Sequence, residues 1–341
     1  FCPPEAAFIA ADLVGFYLQP EGPSWPNHGP RLGNGQPIDK YLMDETIALT
    51  KEYGNYASYC MFACGNEPSG RWVAWVSKFV DYWKATDPRR VYTGASVGNS
   101  WQWQPHNEYH VKAGARGLSW AGAQPESESD YRARIDTVKQ PYVSHETGQW
   151  CVFPNFNEIR KYTRVNKAKN FEIFRDILND NHMGGQSYDF MMASGKLQAL
   201  CYKHEIEKTL RTPDYAGFQL LALNDYSGQG TALVGVLDVF FEEKGYINAE
   251  QFRRFCSPTV PLARIPKFVY ANDETFHADI EVSHFGAAPL QGAKTSYTIK
   301  DKFGKVYAKG TVGTQTIPIG NLCALGSVDM SLKGIDTPQK L

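Results

Sequence analysis

Over the first two-thirds of the chain, short apolar runs alternate with longer amphipathic segments, the pattern of βα units laid around a parallel sheet. The runs predict strands at Phe16–Gln19, Tyr59–Cys64, Val91–Ala95, Glu108–Val111, Tyr142–Ser144 and Phe218–Leu223. Helices are predicted at Phe8–Val14, Asp39–Tyr53, Arg71–Thr86, Ser129–Val138, Ala168–Asn181, Ser187–Arg211 and Ala249–Phe255. Six strands with helices between them fit strands 3 to 8 of a (β/α)8 TIM barrel, an α/β fold, with the first two strands expected upstream of Phe1. In the helix predicted at Arg71–Thr86, Trp72, Val76, Phe79, Val80 and Trp83 recur on one face, which would lie on the barrel wall.

After Pro258 and Pro261 the period changes from helical to two. "FHADIEVSHF" alternates, and "TSYTIKDKFGKVYAKGTV" reads as two strands around a turn at Asp301–Gly304. Residues 1–260 are therefore expected to form the barrel, and residues 261–341 an antiparallel β-sandwich. The ending "SLKGIDTPQKL" leaves no room for a closing strand pair, so the second domain is expected to be truncated.

Composition narrows the partners. In 341 residues, 43% are apolar, 13% are aromatic and the formal charge is −1, so a large core is available and no clustered basic excess favours nucleic acid or an anionic membrane. No apolar stretch approaches the roughly 18 residues that span a bilayer, so no membrane insertion is expected. The seven cysteines, at 2, 60, 64, 151, 201, 256 and 323, include no CxxC and fit buried thiols better than a disulfide framework or a zinc site. The opening "FCPPEAAFIAADLVGFYLQPE" lacks an initiator Met and a signal-like region, which suggests that the chain begins mid-fold.

In a barrel of this kind chemistry sits at the C-terminal ends of the strands. Three acids follow predicted strands closely: Glu21 after "GFYLQP", Glu67 after "MFACGN" and Glu146 after "PYVSH". Such acids can cap the next helix or solvate a loop, but three at strand ends suggest chemistry. Glycoside hydrolysis needs two carboxylates flanking the sugar, one to protonate the leaving oxygen and one to attack the anomeric carbon or activate water. About three βα units separate Glu67 from Glu146, consistent with strands four and seven, across the barrel mouth from each other.

The run "DLVGFYLQPE" with Asp12, Gly15 and Glu21, then "CGNE", then "SHETGQW", resembles glycoside hydrolase family 2, the retaining β-galactosidases, β-glucuronidases and β-mannosidases. "GFQLLALNDYSGQGTALVGVLDVFFEEKG" resembles the last barrel strand and loop of a subgroup of that family found among polysaccharide degraders, and the spacing at Glu281–Gly286 its C-terminal β-sandwich. The resemblance implies that Glu67 is the acid/base, Glu146 the nucleophile and Asn66 a ligand of the sugar 2-hydroxyl. It also implies an Arg and a His on strands preceding Phe1. A raised pKa is expected for the acid and an ionised state for the nucleophile, with His145 or Tyr109 holding Glu146 by a hydrogen bond. The chain departs from the family at Leu223-Asn224-Asp225-Tyr226, where a Trp platform is usual, and at Asn166-Lys167-Ala168-Lys169, which does not match the Asn-x-Lys element of glucuronidases.

Other residues are candidates by their chemistry. In "NSWQWQPHNEYH", Trp101 and Trp103 can stack on a pyranose while Asn99, Tyr109 and His110 reach hydroxyls, although aromatics under a long loop can equally be packing. His106 and His110 flank Glu108 but lack a third ligand at helical spacing, so no metal is expected, and no cofactor. Trp150 is a candidate wall, Glu21 a rim carboxylate, and Asn224, Asp225 and Gln229 sit where the last strand opens, beside the turn formers Ser227, Gly228 and Gly230. No GxSxG elbow supports a serine hydrolase. The expectation is a retaining exo-β-glycosidase, most like a β-galactosidase, acting on an oligosaccharide or glycoside. β-Glucuronidase or β-mannosidase activity is the alternative within the family, and a non-catalytic carbohydrate-binding protein the alternative outside it. A periplasmic or secreted bacterial location is expected, with any signal upstream of Phe1.

Overall fold

The protein is described from a computed structural model covering residues 2–25, 31–226, 228, 230 and 232–341. Gln229 and Ser227 lie outside the described residues. The chain mixes helices with several sheets and divides into two compact units. The first comprises Phe1–Ala115, Arg134–His145 and Asp214–Gln219, and the second Arg116–Ala133, Glu146–Pro213 and Leu220–Leu341.

In the first unit, parallel strands carry the framework. β1 (Met61–Ala63) pairs with β2 (Val91–Thr93), and β3 (His110–Lys112) with β4 (Tyr142–Gly148), both in parallel. β5 (Tyr215–Leu221) is the third strand of the order β3-β4-β5. Single parallel bridges extend the set, Leu18↔Tyr59 and Glu21↔Ala63 ahead of β1, then Asn66↔Ser96 and Val97↔Lys112 between β1, β2 and β3. Strand order thus follows chain order. The strand expected at Phe16–Gln19 shrinks to those bridges because Pro20 donates no ladder hydrogen bond and Phe16 and Tyr17 are exposed.

Three helices pack here. α1 (Glu5–Val14) ends on Gly15 in the left-handed region, and α2 (Pro37–Tyr53) starts with Pro at its first position, where a missing N–H costs nothing. α3 (Trp72–Thr86) buries Trp72, Val76, Phe79, Val80 and Trp83, the face read from its period. These side chains join Phe8, Leu42, Tyr59, Phe62 and Tyr92 in one core. α4 is a short turn, Arg132–Ile135, within the longer helix that the sequence suggests.

The second unit holds α5 (Lys169–Asp180), the long α6 (Ser187–Leu210) and α7 (Ala249–Arg253), the last closed by a capping box between Asn248 and Gln251. Its strands are antiparallel. β6 (Thr259–Arg264), β7 (Thr275–His284) and β10 (Gly320–Ser331) form one sheet in the order β10-β7-β6. β8 (Leu290–Lys300) and β9 (Val306–Ile317) form a hairpin, turning where Asp301 accepts the backbone N–H groups of Phe303 and Lys305. Val282, Ile317 and Leu325 form a core shared by the sheet and the hairpin.

Candidate functional site

Glu67 is set by the backbone around it. Phe62, Ala63 and Cys64 are fully buried, and Gly65 follows because a Cβ there would lie 2.5 Å from the Ser24 carbonyl oxygen. The Ser96 N–H donates to the Gly65 carbonyl (3.0 Å) and the Glu67 N–H to the Ser96 carbonyl (2.9 Å), which locks the strand exit. Glu67 has a φ of 44°, a left-handed conformation that a side chain with a Cβ adopts only when its surroundings impose it. Trp25 Nε1 donates to Glu67 Oε2 at 3.1 Å, and Trp101 Nε1 to the Pro68 carbonyl at 2.9 Å. Asn66 Oδ1 is buried and accepts no hydrogen bond among the described residues.

Gly98 closes this corner. A Cβ there would meet the Trp101 ring at 2.7 Å and Glu67 Oε1 at 3.1 Å. Gly98→Ala should therefore shift the indole and lower stability by about 1–3 kcal/mol, the usual cost of overpacking. Equilibrium urea unfolding checks this, and an unchanged midpoint would separate Trp101 from Glu67.

Glu21 belongs to the same unit and stays in a side-chain chain. It accepts from Gln19 Nε2 (3.0 Å) and from the Ser96 hydroxyl, while the Tyr109 hydroxyl donates to Gln19 Oε1 (2.7 Å). Burial and the Glu21 charge push the Tyr109 phenol well up. The one Tyr109 proton goes to Gln19, where the sequence offered Glu146 as its acceptor. His110 is buried beneath the edge of Trp103 (ring centroids 4.8 Å), and burial with the nearby Lys112 charge holds its pKa down. His106 bonds Asp81, and Glu108 accepts the Tyr92 N–H. Among the described residues no group of three His, Cys, Asp or Glu side chains could hold a metal ion.

Glu146 belongs to the second unit and lies inside β4, not after it as the sequence suggests; the strand runs on to Gly148. The apolar run stops at Ser144, but backbone pairing does not need apolar side chains. Glu146 too is left-handed, with φ 52°, followed by Gly148 (φ 103°) and Gln149 (φ 62°). A Cβ at Gly148 would collide with the Tyr202 ring at 2.2 Å. Gln149 Nε2 donates to Glu146 Oε2 at 3.1 Å, and Arg116 Nη1 stands 3.6 Å from the same oxygen while donating to the Glu146 carbonyl. Trp150 Nε1 donates to Glu205 Oε2 (2.9 Å), and the Gly117 N–H to Glu205 Oε1 (2.6 Å). Burial raises the Glu205 pKa, opposed by those donors and by Arg116. His145 is buried in β4.

Asn224 and Asp225 are both tied into the local fold. Asn224 Nδ2 donates to the Asp225 carbonyl, and Asp225 forms a buried ion pair with Lys244 (2.7 Å) while accepting the Gly235 N–H. All of Asp225's chemistry is spent on the fold, which corrects the expectation that it meets substrate. Lys244 stands nineteen residues further on, beyond any local motif. The sequence reading also missed Trp25, Arg116 and Glu205. Arg116 falls in a loop and Glu205 mid-helix, where charge reads as solvated surface. Gln149 was within reach, inside the quoted "SHETGQW".

The chain is similar to several solved structures. They include a Bacteroides fragilis protein described provisionally as a β-galactosidase (12% identity, TM-score 0.49, covering 97% of this chain and 48% of that one). An FMN-binding β-glucuronidase from Facaelibacterium prausnitzii L2-6 matches at 12% identity and TM-score 0.45, over 98% and 49%. A Bacteroides uniformis β-glucuronidase matches at 12% and 0.47, over 93% and 37%. The chain spans about half or less of the length of each. Residues 274–341 match the family model for a domain of unknown function (DUF8488). No curated protein matches the chain.

Proposed function

We propose that the chain is the C-terminal part of a retaining exo-β-glycosidase of the family 2 type, most like a β-galactosidase, with Glu67 as acid/base and Glu146 as nucleophile. In this reading residues 1–260 are strands 3 to 8 of a (β/α)8 barrel and residues 261–341 a β-sandwich domain, in a protein exported to the periplasm or outside the cell. The observation that carries the reading is the shared backbone state of the two glutamates. Each belongs to a strand or its immediate exit, each has positive φ, and each carboxylate is met by named donors. Strain of this kind is kept where the surroundings need a side chain aimed in one direction.

The reaction follows from retaining chemistry. Glu146, steadied by Arg116 and Gln149, would attack the anomeric carbon while Glu67 gives its proton to the departing oxygen. Glu67 would then take a proton from water as water displaces Glu146 from that carbon, and the two inversions give net retention. Asn66 would bond the 2-hydroxyl, and Trp101 would stand against the sugar. The test is the anomer released first. Proton NMR of an aryl β-galactoside digest should show the β-hemiacetal before mutarotation, whereas the α-anomer first, or no release of the aryl group by the full-length protein, would sink the reading.

A further inference from the structure

Helix α6 carries a carboxylate, Glu205, that is 0% exposed. Burying such a group is costly unless donors replace the water it loses. Here the donors come from two segments far away in the sequence. The Gly117 N–H reaches Oε1 (2.6 Å), Trp150 Nε1 reaches Oε2 (2.9 Å), and the Gly148 N–H faces the same carboxyl. Donors on both oxygens match an ionised carboxylate, which only accepts.

Glu205 belongs to a continuous face of the helix. Gln198, Tyr202 and Glu205 recur at i, i+4 and i+7, so they line one side of α6. All three meet the turn that follows Glu146. Gln198 Nε2 donates to the Trp150 carbonyl (2.7 Å), the Tyr202 ring fills the space that a Cβ at Gly148 would need, and Glu205 accepts the Trp150 indole N–H. Between Gly148 and Trp150 stands Gln149, whose N–H donates to the Leu221 carbonyl (2.9 Å) and whose side chain donates to Glu146 Oε2 (3.1 Å). Glu205 also reaches the second segment, where Gly117 follows Arg116, the cation 3.6 Å from the same Glu146 oxygen. It therefore grips the chain next to each of the two groups that meet Glu146 Oε2.

We infer that Glu205 is a positioning residue for Glu146: its carboxylate clamps the Arg116–Gly117 and Gly148–Trp150 segments together and so sets Arg116 and Gln149 against the Glu146 carboxylate. The inference rests on the glycosidase reading for Glu146 being a nucleophile, whereas the clamp itself does not. Glutamine at this position keeps the length of the side chain but turns an NH₂ group toward one of the N–H donors, so one of the two segments is released. Aspartate keeps the acceptors and the charge but falls short by one carbon, so it should hold the segments in part.

Two measurements on the full-length protein test this. The first is labelling by 2-deoxy-2-fluoro-β-galactosyl fluoride, followed by mass spectrometry. A Glu146 oxygen bonds to the anomeric carbon as fluoride leaves with the C–F electron pair, and the ester turns over slowly because the fluorine at C2 disfavours the oxocarbenium-like state. Folded Glu205→Gln should label to the same final fraction as the parent but about 10- to 100-fold more slowly, the scale of a small misplacement of reacting groups. Glu205→Asp should recover part of the rate. Met191→Ala, which opens a cavity under the same helix, should lower only the fraction that labels, because lost stability removes molecules rather than slowing those that remain. The second measurement is hydrogen exchange, which should rise in Glu205→Gln around Gly117 and around Gly148–Trp150 together, with the rest of α6 as protected as in the parent. A parental labelling rate in folded Glu205→Gln, or extra exchange spread along α6, would overturn the inference, and so would failure of both Glu205 variants to fold. A parent that does not label would sink the glycosidase reading, and the exchange pattern would still decide for or against the clamp.

Discussion

Glycine in place of Glu146 should lower kcat on an activated aryl β-galactoside by at least about 10⁴-fold, the scale of loss when a covalent nucleophile is deleted. The substitution also isolates chemistry from folding. Glu146 sits at φ 52°, where a Cβ is unfavourable by roughly 1–2 kcal/mol and glycine is not, so the variant should melt no lower than the parent. Arg116 and Gln149 would remain, facing the space of the lost carboxylate. Azide can enter that space, attack the anomeric carbon from the nucleophile's side and yield an α-glycosyl azide. Glycine at Glu67, φ 44°, is the matched comparison, because azide there would displace the sugar from Glu146 and yield the β-azide. Activity within about tenfold of the parent in Glu146→Gly, or the two azides in reversed order, would remove Glu146 from the nucleophile role.

Much of this framework was legible from period alone. The apolar stripe of α3 and the ends of α5 and α6 agree with the sequence reading to within a residue or so, because a 3.6-residue period repeated over many turns is hard to mistake. The β8–β9 hairpin was equally plain, with Asp301 organising the turn. β10 was missed. Its register shifts between Gly320 and Cys323 and again between Ala324 and Gly326, and each extra residue flips the alternation that a strand reading depends on. β6 follows Pro258 and holds Pro261, breakers that hide a strand.

The sequence singles out the two carboxylates of the proposed site but not the residues that hold them. Glu67 and Glu146 stand out by neighbours such as Gly65, Pro68 and Gly148, residues that break regular structure and so mark the local geometry. Positive φ at a glutamate has no sequence signature of its own. Partners reached through the fold, such as Trp25 for Glu67 at a separation of 42 residues or Glu205 for Trp150 at 55, cannot be found by spacing. Asp225 shows the opposite error. A strand-end acid looked like a substrate ligand, yet a distant lysine had claimed it.

Glu158→Gln should stabilise the protein at pH 8 and change little at pH 4.5. Glu158 lies in the short 3-10 helix Phe156–Lys161 and is 1% exposed. Around it stand Asp225 and Asp238 as anions and Lys161 and Lys244 as cations. Both ammonium groups are already engaged, Lys244 with Asp225 and Lys161 with Asp238 and Glu242, and Glu158 Oε2 has no hydrogen-bond partner among the described residues. Burial, then the Asp238 charge, push the Glu158 carboxyl up from 4.5 to about 7. The folded state therefore keeps a proton that the unfolded chain releases. Its contribution is complete below pH 4.5, falls as pH rises from there to about 7 and is gone above that. At about 1.4 kcal/mol per pH unit, that window amounts to roughly 3 kcal/mol. A glutamine has the neutral form's shape at every pH, so the variant should pull ahead of the parent progressively between pH 4.5 and 7 and hold its lead beyond. Asp225 is raised by burial as well, but it is present in both proteins and drops out of the difference to first order. Urea unfolding across this range gives the comparison directly. A stability difference that is flat with pH would mean that Glu158 is ionised in the folded protein, and a lead that shrinks as pH rises would reverse the sign of its linkage.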